Sequence, residues 1–216
     1  MELTRAELYL LMNSNGPLWL VGVDLSGADL RGANLSHSNL KGACLRGCNL
    51  AGADLTEAKL YRADLIGADL IGAKLDGADL DGANLAMTRL VLASMSASSL
   101  RDANLRGARV NMVDLSRADL HNANLTETLL IGTNLGGANL EEANLTGAYM
   151  VGAKLNGARV TDEQLAQAGS IELAILPDGT EYTSEAEPVA TEPNGQDAEE
   201  QSGQSGDLDA SSGDQD

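Results

Sequence analysis

Phenylalanine is absent from this chain, and tryptophan and tyrosine together supply only five of its 216 residues. A core here cannot rest on large rings and must be aliphatic. Proline occurs only at Pro17, Pro177, Pro188 and Pro193, so nothing between residues 18 and 176 removes a backbone donor. Two histidines (His37, His121) and two cysteines (Cys44, Cys48) are the whole stock of soft or imidazole ligands. They are too few and too scattered for a zinc site or for a Ser–His–Asp or Cys–His set. No apolar run is long enough to span a membrane, and the start MELTRAELYLL has no basic leader region. These shortages argue against an enzyme, a metal and a cofactor, and predict a cytoplasmic chain with no membrane partner.

What the chain has in place of variety is period. Every fifth residue from Leu25 to Val160 is Leu, Met or Val, 28 times without a slip, and 24 of these are Leu. Two positions before each apolar centre stands a small residue, Ala in 20 of 28 cases. Residues two apart on an extended chain share a face, so both point inward. The residue between them points outward and is Asp or Asn in 17 of 28. Two residues remain to turn the chain, and the second is Gly in 16 of 28, where a positive φ is needed. Neither a helix nor an alternating strand holds a strict five. A short extended piece followed by a corner does.

Runs such as SGADL RGANL and IGADL IGAKL DGADL DGANL resemble the pentapeptide-repeat family, whose consensus is A-(D/N)-L-x-x. The resemblance implies an all-β fold, a right-handed quadrilateral parallel β-helix with one pentad per side. It further implies about seven coils and a shaft of roughly 34 Å at about 4.8 Å per coil. The family's abundance in cyanobacteria points to a cyanobacterial origin. Leu centres in place of the Phe of many members imply a slimmer core. Stability then comes from stacking, since one pentad alone buries little.

Four segments follow. Residues 1–20 are expected to form an N-terminal capping helix, with a capping box at Thr4–Glu7, a Leu3/Leu8 staple and a stop at Gly16-Pro17. Residues 21–160 form the β-helix. Residues 161–180 are expected to add a second cap: a helix from Thr161 to Gly169, a strand over Ile171–Leu176 and a turn at Pro177-Asp178-Gly179. Residues 181–216 are expected to be a disordered acidic tail. Residues 166–216 hold 13 acids and no base, against 19 acids and 14 bases before them, so most of the net charge of −18 lies there. Cys44 points out and Cys48 in, so the two are not expected to pair, in keeping with a reducing compartment. Stacking makes columns of like phase, and Asn84, Asn104, Asn124 and Asn144 are expected to form an amide ladder.

One side stands out. Around Leu50, Leu70, Leu90, Val110, Leu130 and Met150 the outward and corner positions carry Ile71, Val91, Leu92, Met112, Leu129, Ile131, Tyr149 and Val151, bordered by Arg89 and Arg109. A contiguous exposed apolar strip marks a partner surface, and Arg is favoured at such surfaces. The expected function is a non-catalytic protein-binding or structural scaffold, with an unidentified protein partner or self-association. No nucleic-acid partner is expected. The alternative, implied by relatives that imitate duplex DNA, is inhibition of a type II topoisomerase. It requires strongly acidic sides, whereas the charges between residues 24 and 162 nearly cancel, at 16 acids to 13 bases.

Overall fold

The computed structural model describes residues 16–183. The expected N-terminal helix and nearly all of the acidic tail lie outside them. From Trp19 to Asn139 each outward residue pairs in parallel with the residue twenty positions later: Trp19 with Asn39, Asn49 with Asp69, Asn84 with Asn104, Asn139 with Arg159. Four pentads therefore complete one circuit, and the chain is a parallel β-helix with four corners per coil. The ladder starts one pentad earlier than the residue pattern suggested. Leu20 is buried, and its N–H donates to the carbonyl of Asn39. That first pentad is hidden in the sequence because Leu18 stands where a small residue is usual.

Following the N–H groups of one pentad shows why the period is five. The Asn49 N–H donates to the preceding coil at the Ala28 carbonyl (2.9 Å), and those of Leu50 and Gly52 donate to the next coil at Asp69 and Ile71 (2.7 and 2.9 Å). Ala53 closes the corner onto the Leu50 carbonyl (3.0 Å). That leaves Ala51, whose N–H donates to the Asn49 side chain at 3.1 Å. All seventeen outward Asp and Asn residues accept the N–H of the residue two places on in this way. The consensus carboxylate or amide is thus the fifth hydrogen bond of the pentad.

The corner itself demands a left-handed residue in its second position. From residue 22 to residue 157, sixteen such positions are glycine and twelve are not, with φ between 52 and 68° throughout. The glycine-free stretch between Gly82 and Gly107 therefore makes no bulge. Its pairing keeps the twenty-residue register, and Met87, Leu92, Ala97 and Asp102 adopt the left-handed conformation themselves. Where Ser94 and Ser99 replace the usual cap, Asp76 and Asp81 of the preceding coil accept the N–H groups of Ser96 and Arg101 instead.

The interior is a continuous stack of Leu centres and small residues, buried from Leu20 to Leu155. Small polar residues in the inner row bond to backbone carbonyls: Thr88 to Leu85, Ser98 to Met95 and Thr128 to Leu105. No buried polar side chain among the described residues lacks a partner. Of the expected Asn ladder, Asn84, Asn104 and Asn124 are linked at 3.1 and 3.3 Å, whereas no such bond ties in Asn144.

At the C-terminal end the chain leaves the pentad rhythm through α1 (Asp162–Leu165), opened by a capping box between Thr161 and Gln164. The helix stops well before Gly169, because Gln167 and Gly169 are already hydrogen-bonded to Gly147 and Ala148 of the last coil. Gly169 passes so close to the Gly147 carbonyl that an added Cβ would lie 3.2 Å from it. Pairing resumes with an offset of 21, Tyr149 with Ser170 and Lys154 with Ile175. The segment expected as one strand over 171–176 is bent by a corner at Leu173 (φ 57°). Glu181 and Tyr182, assigned from composition to the tail, return against this cap, through an antiparallel pairing with Ile175 and a hydrogen bond to Ala174.

Candidate functional site

The candidate strip lies on the side of the rod built over Leu70, Leu90, Val110, Leu130 and Met150. Its outward column is continuous, running Asp69, Arg89, Arg109, Leu129, Tyr149 through successive parallel pairings. Met112 and Leu92 are 63 and 61% exposed on the corner that follows, and Ile131 and Tyr149 are also exposed. Ile71, Val91, Leu129 and Val151 are half-buried, with their edges available. Met87, on the opposite corner of the same side, is 65% exposed and was missed from the sequence, where only the corner after each centre was sorted. Its signal was present: Met replaces the corner glycine there, and its sulfur lies over Gly107. Of the other exposed large apolar residues of the described chain, Trp19 and Val21 lie away from this strip, whereas Leu173 continues the corner column of Leu92 and Met112 beyond Gly152.

Charge on the strip is unevenly satisfied. Arg89 pairs with Asp69 beneath it at 2.9 Å, and Arg106 with Glu127 at 3.4 Å. Arg109, between them, makes no ion pair among the described residues. The strip also forgoes local stabilisation. Four consecutive outward positions, Arg89 to Tyr149, lack the capping Asp or Asn; Ile131 borrows a cap from Asn111 (3.3 Å), while the N–H groups of Val91, Asn111 and Val151 have no such side-chain acceptor among the described residues. Met87, Leu92 and Met112 hold left-handed corners with φ of 59, 62 and 55°, a conformation costing a non-glycine residue about 1–2 kcal/mol.

Elsewhere the reactive side chains are engaged or isolated. Cys48 is a buried inner-row residue whose thiol donates to the Leu25 carbonyl, and burial pushes its pKa up to about 11. Cys44 faces outward against the Ser26 hydroxyl at 3.0 Å, and neither cysteine is in a disulfide. His37 lies beside Glu57 at 3.2 Å and His121 near Glu142 at 3.9 Å, on separate coils. The described residues contain no cluster of three or more His, Cys, Asp or Glu able to hold a metal ion, and no helix among them is long and apolar enough to cross a membrane.

Five-residue sides stacked in parallel register define a solenoid of the β-helix class. The chain belongs to the pentapeptide-repeat family: the description "Pentapeptide repeats" matches in eight copies over residues 19–47, 48–86, 98–135 and 123–162. It is similar to HetL of the cyanobacterium Nostoc sp. strain PCC 7120, a pentapeptide repeat protein involved in heterocyst differentiation regulation. The identity is 31%, over 84% of this chain and 100% of that one, with a TM-score of 0.41. QnrB1, a plasmid-mediated fluoroquinolone resistance protein, is similar in fold at 20% identity and a TM-score of 0.52, over 68% of this chain and 83% of that one. The Nostoc protein alr5209 is 27% identical over 62% of this chain and 82% of its own, with a TM-score of 0.27. No curated protein matches the chain.

Proposed function

We propose that this protein is a non-catalytic cytoplasmic scaffold, a rigid rod of seven right-handed coils that presents one partly apolar side to a protein partner or to a second copy of itself. One observation carries the reading. At Arg89 and Arg109 the chain gives up both devices that stabilise its corners, the Asp/Asn cap and the glycine, and turns on exposed Leu92 and Met112, while at Leu129 and Tyr149 it gives up the cap and keeps Gly132 and Gly152. Residues chosen against local stability are expected where a surface serves recognition. Replacing Val91 and Ile131 together by Glu tests it. Binding or self-association is expected to be lost in pull-down and light scattering, while each change moves stability by about 0.5 kcal/mol or less. An unchanged mass together with unchanged partners would make the strip ordinary surface.

The alternative of a duplex-DNA mimic acting on a type II topoisomerase has less support. The outward carboxylates are spent as corner caps, and Asp29, Asp64, Asp69 and Asp119 are also paired with arginines. The likeness to QnrB1 supports a shared fold alone. Gyrase supercoiling is expected to continue unaffected as this protein is added, and inhibition would favour the alternative.

A further inference from the structure

Another corner departs from the consensus at both positions, on the side half a circuit away, and there the departures are basic. At residues 59–62 the capping Asp or Asn is replaced by Lys59, and the corner glycine by Arg62, left-handed at φ 55°. The Tyr61 N–H consequently has no acceptor among the described residues. The Tyr61 ring holds two cations against it, the Lys41 ammonium and the Arg62 guanidinium, each 5.0 Å from the ring centroid. This contact restricts both side chains before any ligand arrives. Lys41, Lys59 and Arg62 make no ion pair among the described residues, although six other arginines of the rod do. Asn39, Lys41, Lys59, Tyr61 and Asp79 line a groove of about 280 Å³ at this point.

We propose that this groove binds a short acidic peptide segment, with one carboxylate taking the place of the capping side chain that the Lys59 corner lacks. At seventeen other corners a carboxylate or amide oxygen of the same pentad stands beside the equivalent N–H, and at three more one from the preceding coil does. An incoming carboxylate on Tyr61 N–H would find that donor together with the Lys59 and Arg62 charges. Alternate side chains of an extended peptide lie about 7 Å apart on one face, which brings a second carboxylate within reach of Lys41 on the adjacent coil. The Asp79 carboxylate and the Asn39 amide then face groups that a peptide backbone supplies, N–H and C=O. A nucleic-acid strand offers no donor of that kind along its phosphates, and its bases would find the Tyr61 ring already occupied by two cations.

The test uses the full chain and a fluorescein-labelled octaglutamate peptide, followed by anisotropy at low and at physiological salt. Wild type is expected to bind with an affinity that falls as salt rises. Lys41→Glu with Lys59→Glu is expected to weaken binding by about tenfold or more. Lys74→Glu with Lys154→Glu, the same charge change on another side, is expected to leave it within about twofold. Tyr61→Ala, which keeps every charge but releases the two cations, is expected to weaken binding by severalfold. Circular dichroism melts confirm that each variant folds. The proposal is overturned if wild type does not bind the peptide, if both double variants weaken binding equally, or if an oligothymidylate binds more tightly than octaglutamate at the same salt.

Discussion

The Asp or Asn of each pentad and the residue three places later act as one device, and their chemistry explains most of the surface. The former accepts the single N–H that no backbone carbonyl of a neighbouring coil takes up, and the latter takes the left-handed turn. Substitution at the second site separates stability from recognition. Leu92 holds φ 62° and is mostly exposed, so Leu92→Gly relieves about 1–2 kcal/mol of backbone strain. Glycine's greater unfolded-state freedom returns about 0.4–1 kcal/mol of that. The variant is expected to be more stable by about 0.5–1 kcal/mol in denaturant melts and weaker in partner binding or self-association. A loss of stability would mean that Leu92 packs within the chain and is no docking group.

At the scale of the element, corner caps make the coils sensitive to acid. The Thr56 hydroxyl and N–H hold the Asp54 carboxyl below its ordinary value. At Asp76 burial pushes upward, but the hydroxyls of Ser94 and Ser96 and the Ser96 N–H outweigh it, and the net shift is downward. A carboxyl depressed in the folded state contributes stability that is complete above its unfolded pKa of about 3.9 and is lost as pH falls through the lower folded value. Melting temperature is therefore expected to be level from neutrality to about pH 5 and to fall steeply below about pH 4. Asp54→Asn with Asp76→Asn retains amide oxygens as acceptors without a titrating group, so its acid loss is expected to be shallower. An identical pH profile would locate the acid sensitivity elsewhere.

For the whole molecule, stacking alone holds the rod, and each coil depends on its neighbours. The described chain closes its last coil with Leu165 and Ala174, both buried, and with the return of Glu181 and Tyr182. On composition alone residues 184–216, with ten acids, no base and few apolar side chains, are expected to add nothing to the stack. Truncation after Thr183 is expected to leave the melting temperature and the circular dichroism spectrum unchanged. Truncation after Thr180, which removes the Tyr182–Ala174 hydrogen bond, is expected to lower it. Equal melting of the two chains would show that Glu181 and Tyr182 contribute nothing to the cap.

The period of five was legible in the residues because side-chain direction, corner and small-residue spacing are all local properties. Leu at every fifth position, with Ala two before it, admits one kind of coil, and the apolar strip followed from sorting residues by phase. Other features arise between coils and were not legible. Whether Arg89 is neutralised and Arg109 is not depends on which residue lies twenty positions away in the stack. Asp76 caps Ser96 only because the preceding coil brings it there. Met87 joins the strip across a width of the side that no single pentad spans. The cap bends at Leu173, and Glu181 returns, because the open end of the last coil offers hydrogen bonds that only the assembled end creates. Local sequence set the repeat, and contact between successive coils decided which side chains remained free to meet something else.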